Sequence, residues 1–156
     1  MHLHVIYAST SGHVEYVVGL LEAFLKAKAP KLKVSVQRVE RAEVKDLTKG
    51  DVLLLASSTW NTGGIEGQLN PHMHVYLKKE VIGADLKGKR VALIGLGDKR
   101  YRYTCRAADH LEVFVKSHNG KQVGRTLRIV NEPFGQESTI EAWGAQLLKQ
   151  FSSSSS

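Results

Sequence analysis

A chain of 156 residues with 42% apolar residues is long enough for one domain with a buried core. No apolar run approaches the roughly 20 residues of a membrane span, and a single cysteine, Cys105, excludes an internal disulfide. The net charge of +7 points to a solvated surface or an acidic partner; the basic residues are spread along the sequence without a helix-turn-helix, zinc-finger or RNP-type motif, so we expect no specific nucleic-acid partner.

The N-terminus runs directly into an apolar strand over residues 3–8, so no signal peptide or membrane insertion is expected and the cytoplasm is the expected compartment. Residues 14–27 place Val14, Val17, Val18, Leu21, Phe24 and Leu25 at helical spacing, and Pro30 follows as a terminator. Residues 32–39 alternate apolar and polar, as in a half-buried strand. A short helix is expected over 43–48. Residues 52–56 are continuously apolar, the mark of a central parallel strand covered on both faces. A polar loop over 57–64 follows, and then a helix over 67–80 with Pro71 near its first turn. A second buried strand spans 90–95, followed by the loop 96–103. Ala107, Ala108, Leu111, Phe114 and Val115 mark the next helix, which Asn119-Gly120 ends. A last strand region covers 121–130, split near 124–126, and a final helix spans 136–151. Residues 152–156 are all serine and are expected to form a disordered tail beyond a domain covering 1–151.

This alternation predicts an α/β three-layer sandwich: a five-stranded parallel sheet in the order 2-1-3-4-5, with helices on both faces. Ligands in such sheets bind beyond the carboxyl ends of the strands, at the switch between strands 1 and 3. Three loops meet there: 9–14, 57–64 and 96–103. The first carries Ser9, Thr10, Ser11 and Gly12 in front of a helix, more hydroxyls than one helix cap requires. Helix N-termini hold anions through free N–H groups and the helix dipole. The loop is neither a Walker motif nor G-x-G-x-x-G, and no aspartate follows strand 1, which argues against an NTPase and a phospho-acceptor domain. The other two loops carry Trp60, Tyr101 and Tyr103. A phosphate site at one end and an aromatic slot at the other describe a mononucleotide with a large flat ring, and a flavin fits best.

These residues resemble the flavodoxins of the short-chain type. Residues 9–14, Ser-Thr-Ser-Gly-His-Val, are similar to the family's S/T-x-T-G-x-T phosphate loop. Residues 57–60, Ser-Ser-Thr-Trp, resemble the loop that stacks an aromatic on one flavin face. Residues 97–105 are similar to its G-D-x-x-Y-x-Y-x-C segment. The resemblance implies an FMN-binding electron carrier without a catalytic residue or a metal, acting between redox partner proteins as a monomer. It implies that Ser9, Thr10, Ser11, Gly12, His13 and Val14 surround the phosphate with help from Ser58. Thr59 and Asn61 would lie along the ribityl chain and ring edge, Thr62 and Gly63 would also bind the cofactor, and Trp60 and Tyr101 would flank the ring. Leu96, Gly97, Asp98, Tyr103 and Cys105 would meet its pyrimidine end. The alternatives on the same fold are an FMN-dependent NAD(P)H:quinone-type reductase and a flavin-free interaction module.

The chain departs from the family in three ways. Val14 stands where a threonine is usual, removing one hydroxyl from the phosphate loop. Asn61 stands where glycine is usual, at the peptide that turns over in the family when the flavin gains one electron. The charge is basic, with Lys99, Arg100, Arg102 and Arg106 beside the ring loop. These cations are expected to favour a negatively charged reduced flavin and to steer partners with acidic docking surfaces.

Overall fold

A computed structural model describes residues 1–62, 65–97 and 105–153. Five parallel strand positions form the sheet. They are β1 (His2–Ala8), β2 (Lys33–Arg38), β3 (Val52–Thr62), β5 (Arg90–Gly97) and a divided fifth position, β6 (Lys121–Gln122) with β7 (Leu127–Val130). The order across the sheet is β2-β1-β3-β5-β6, and β7 also pairs with β5. That is the expected 2-1-3-4-5 arrangement. The fifth position divides where anticipated, around Gly124 with φ +67°.

Alternation along the central strands builds two cores. Leu3, Val5, Tyr7, Leu54, Ala56 and Ile94 face α1 (His13–Lys28) and α4 (Glu137–Ser153). Ile6, Leu53, Leu55, Val91 and Leu93 face α2 (Pro71–Val75) and α3 (Arg106–Ser117). Burial on both faces is what the unbroken apolar runs of β3 and β5 require. The helix α4 continues to Ser153, so it takes in the first two residues of the serine run.

One segment differs from expectation. The helix expected over 67–80 begins only at Pro71, and residues 65–69 instead form β4 (Ile65–Leu69), antiparallel to the far end of β3. The helix starts where its N-cap is best. The Asn70 side chain accepts from His72 N at 3.0 Å, with Pro71 in the first turn. Beyond Val75 the chain winds into one π-helical turn, Tyr76–Glu80. The expected 43–48 helix is a 3-10 turn, Val44–Thr48, opened by a reciprocal capping box between Glu43 and Asp46.

Near the sheet edge a polar chain crosses from β1 to β2. Gln37 Nε2 donates to Arg41 O at 3.1 Å and Asp46 Oδ2 at 3.3 Å, so its oxygen faces His4 Nε2 at 2.9 Å. His4 therefore carries its proton on Nε2. Its Nδ1 accepts from the Ser35 hydroxyl at 2.6 Å, and Ser35 Oγ accepts from His2 Nε2 at 2.6 Å. Every member has its partner while both histidines are neutral. Burial lowers the pKa of both, and Lys33 and Lys49 lower that of His2 further. Their contribution to stability is present above the unfolded value of about 6.5 and is lost as pH falls below it. The expected result is a thermal midpoint that drops as pH falls through about 6.5, with a weaker slope in His4→Gln. An unchanged slope in that variant would remove the chain from the account.

Candidate functional site

The site lies at the carboxyl ends of β1, β3 and β5. The sharp exit from β1 is set by Gly12, whose φ of +90° lies in the left-handed region that glycine adopts freely. A Cβ there would meet nothing within 4 Å, so conformation and not space demands the glycine. The helix α1 starts immediately, with no side chain capping it from Gly12. Ser9 Oγ accepts from Glu15 N at 3.3 Å. Among the described residues, the N–H groups of Ser11, Gly12, His13 and Val14 find no acceptor. Four unsatisfied donors on one helix start, beside two exposed hydroxyls of Thr10 and Ser11, fit a phosphate group.

Val14 takes part differently from what the sequence implied. Its side chain is buried in the core with Val17, Val18 and Ile140, so it offers the phosphate loop only its backbone N–H. The missing hydroxyl thus reflects a packing role. His13 packs edge-on against Phe134 with ring centroids 5.7 Å apart, and Phe134 in turn packs on Tyr16. The Tyr16 hydroxyl donates to Glu137 at 2.7 Å. This donation, with the bonds from Gly135 N, holds the Glu137 carboxyl below its ordinary pKa.

Two residues that brace this loop escaped the sequence argument. Arg38, at the end of β2, donates to Ser9 O at 3.0 Å and pairs with Glu15 and Glu40. Its charge is thereby matched locally, and it serves as a strut behind the loop. Asn70 is fully buried and joins three segments. Its N–H reaches Ser57 Oγ at 3.1 Å and Ser58 O at 3.0 Å, its Oδ1 caps α2, and its Nδ2 donates to Thr10 Oγ1 at 2.9 Å. The one sequence signal for it was the Asn-Pro pair before a helix.

The second loop is the continuation of β3. Trp60 is half-buried, and its Nε1 donates to Ser58 Oγ at 2.5 Å, fixing the indole against the strand. The Thr59 hydroxyl donates to Leu96 O at 2.8 Å and accepts from Ala107 N at 3.0 Å. It therefore ties β3 and β5 to the start of α3. Asn61 and Thr62 continue β3; their side chains, with Gly63, lie outside the described residues.

At the end of β5, Gly97 sits so close to the start of α3 that a Cβ would come within 2.1 Å of Cys105 N. The two ends of the 98–104 segment are thereby held together. Asp98, Tyr101 and Tyr103 fall outside the described residues, as do Lys99, Arg100 and Arg102. Leu96 is buried and offers its carbonyl to Thr59. Cys105 is buried, adopts φ +58° and donates from Sγ to Ile129 O at 3.2 Å. Burial pushes its thiol up to about 11, so it stays protonated and unreactive at neutral pH. Thiol reagents are expected to leave Cys105 unmodified in the native protein and to label it on unfolding. Rapid native labelling would contradict the packing described here.

His72 and His74 stand on α2, and no group of three or more potential metal-ligating His, Cys, Asp or Glu side chains occurs among the described residues. No helix in the same residues is long and apolar enough to cross a membrane.

Comparison with known proteins places this geometry in context. A family model described as Flavodoxin matches residues 5–143. The chain is 31% identical over 142 residues to a flavodoxin of Maridesulfovibrio salexigens, covering 90% of this chain and 92% of that protein. It is 29% identical over 149 residues to a probable flavodoxin 2 of Bacillus subtilis, covering 93% of each. Among solved structures, oxidised flavodoxin 2 from Bacillus cereus superposes with a TM-score of 0.84 at 25% identity, covering 96% of this chain and 99% of the other.

Proposed function

The chain belongs to the flavodoxin family and is an FMN-binding electron carrier, and from that premise we propose how this member holds its cofactor. When bound, FMN supplies the electron-storing chemistry; the protein supplies binding, orientation and control of solvent. The observation that carries the proposal is the set of four N–H groups at 11–14, at the start of α1, that find no acceptor among the described residues. They would hold the phosphate together with the hydroxyls of Thr10 and Ser11. Asn70 holds Thr10 in place and Arg38 fixes Ser9 O from behind. Trp60, locked by Ser58, would form one wall for the ring, and the 98–104 segment, with Tyr101, the other. Cys105 would pack behind the pyrimidine end as a small apolar neighbour.

No catalytic residue is assigned in this proposal. The protein acts as a carrier, with electrons arriving from and leaving to partner proteins. The basic residues Lys99, Arg100, Arg102 and Arg106 favour partners with acidic docking surfaces, and the proposed working form is a cytoplasmic monomer. The experiment is a visible spectrum of the purified protein followed by an activity assay. A flavin absorbance with one FMN per chain, and no steady oxidation of NAD(P)H by quinone, supports the carrier. Sustained turnover with NAD(P)H and quinone would make it an enzyme instead.

A further inference from the structure

Eight of the 22 lysines and arginines, separate in the sequence, gather at one end of the molecule, opposite the cofactor site. The parallel strands begin there, in the segments 29–33, 48–51, 81–90 and 116–121. These segments hold eight lysines and arginines against two aspartates, an excess close to the chain's whole net charge of +7. Direct contacts lock them into one surface. Lys33 N donates to Met1 O at 3.0 Å, Lys121 N to Lys89 O at 2.9 Å and Leu86 N to His118 O at 2.7 Å. Lys89 is half-buried, and its Nζ clamps the carbonyls of Thr48, Lys49 and Gly50.

The lysines left over are the ones that matter. Lys31, Lys33, Lys49, Lys87, Lys116 and Lys121 are exposed, and none forms an ion pair among the described residues. The two aspartates are engaged locally: Asp51 accepts from His2 N at 2.7 Å, and Asp85 from Lys87 N and Asn119 Nδ2. On other faces Lys26, Arg38, Lys45 and Arg128 do pair with carboxylates. Amid this unpaired charge, Ile82 projects an apolar side chain that is 64% exposed, while His118 Nε2 lies 3.0 Å from its carbonyl oxygen.

We propose that this strand-start face is a docking surface for an anionic lipid bilayer. Lysines near such a surface each add attraction to the negative headgroups, and one apolar side chain among them adds contact with the acyl boundary. Nucleic acid is the weaker match. The face presents strand starts, turns and the last residues of α3, with no helix laid across it to enter a groove, carries no Phe, Tyr or Trp to stack on bases, and exposes an isoleucine that a nucleic-acid backbone would not contact. Docking in this orientation turns the carboxyl ends of the strands, and with them the cofactor site, away from the bilayer and toward soluble partners.

The test is flotation of the FMN-loaded protein with vesicles of phosphatidylcholine alone or with added phosphatidylserine. Binding is expected only with phosphatidylserine, and is expected to weaken with added salt. Each lysine reversed to glutamate is expected to weaken binding by about fivefold or more. The triple variant Lys33→Glu, Lys87→Glu, Lys121→Glu would then lose about a hundredfold while keeping its flavin spectrum. Ile82→Ser is expected to weaken binding by about tenfold. Absence of binding to phosphatidylserine vesicles would overturn the proposal. So would binding that is indifferent to Ile82→Ser and displaced by duplex DNA, which would assign the face to a nucleic-acid backbone.

Discussion

Asn70→Ala is expected to destabilise the protein by about 2–3 kcal/mol and to weaken FMN binding by about tenfold. The stability loss has two parts. Removal of the side chain takes the cap from α2, leaving His72 N without its 3.0 Å acceptor. It also breaks the Nδ2 bond to Thr10 Oγ1, in a site with no water-exposed alternative because Asn70 is fully buried. The affinity loss follows from the second break. Thr10 belongs to the proposed phosphate loop, and its position is set from a residue sixty places away. Chemical denaturation and FMN titration of the same variant separate the two effects. An aspartate at 70 retains the cap acceptor but lacks the donor to Thr10. Asn70→Asp is therefore expected to recover stability more than affinity. Equal recovery of both would contradict the claim that the amide donor of Asn70 is needed to place Thr10, because the Thr10 hydroxyl would then serve as well by donating to the carboxylate.

Gly97→Ala is expected to cost about 3 kcal/mol, the upper end for overpacking. The added methyl would meet Cys105 backbone at 2.1 and 2.8 Å, and a backbone neighbour cannot swing aside as a side-chain end can. Relief requires the end of β5 and the start of α3 to separate. That movement would break Asn131 N to Gly97 O at 2.7 Å and pull on the Thr59 staple to Leu96 and Ala107. It would also spread the two ends of the 98–104 segment, so FMN retention should fall together with stability. Gly19→Ala is the matched control. A methyl there meets nothing within 4 Å on α1, and helix propensity favours alanine. A Gly97→Ala protein as stable as the Gly19→Ala control would show that β5 and α3 can separate freely.

The architecture was legible in the sequence because it rests on periodicity. The apolar runs of β3 and β5, the alternation in β2 and the helical stripes each encode which faces are buried. The position of the site followed from topology, since strand ends at a switch point were already the place to look. The 9–14 loop reads as a candidate phosphate loop because hydroxyls, a glycine and a helix start adjoin in sequence. What escaped notice depends on contacts between distant residues. The helix expected over 67–80 overlaps the strand Ile65–Leu69 at 67–69, where Gly67-Gln68-Leu69 has no distinguishing pattern and pairing with Thr59 and Trp60 decides the structure. Helical spacing already puts Val14 on the apolar stripe of the first helix, and the structure buries it there. The bonds of the Thr59 hydroxyl to Leu96 and Ala107 join separate elements and have no signal in the sequence. Asn70, Arg38 and Phe134 brace the phosphate loop from separate elements, which no local motif encodes. The basic face went unrecognised for the same reason: its lysines come from four separate turns.

The central claim is that the start of α1 holds the FMN phosphate through its free N–H groups. Titration of the apoprotein with FMN and with riboflavin, which lacks only the phosphate, tests it most directly. Bonds from N–H groups to a charged acceptor are stronger than neutral ones, and four are available here. FMN is expected to bind at least about a hundredfold more tightly than riboflavin. Equal affinity for the two would contradict the account, because the 9–14 loop would then contribute nothing to holding the cofactor.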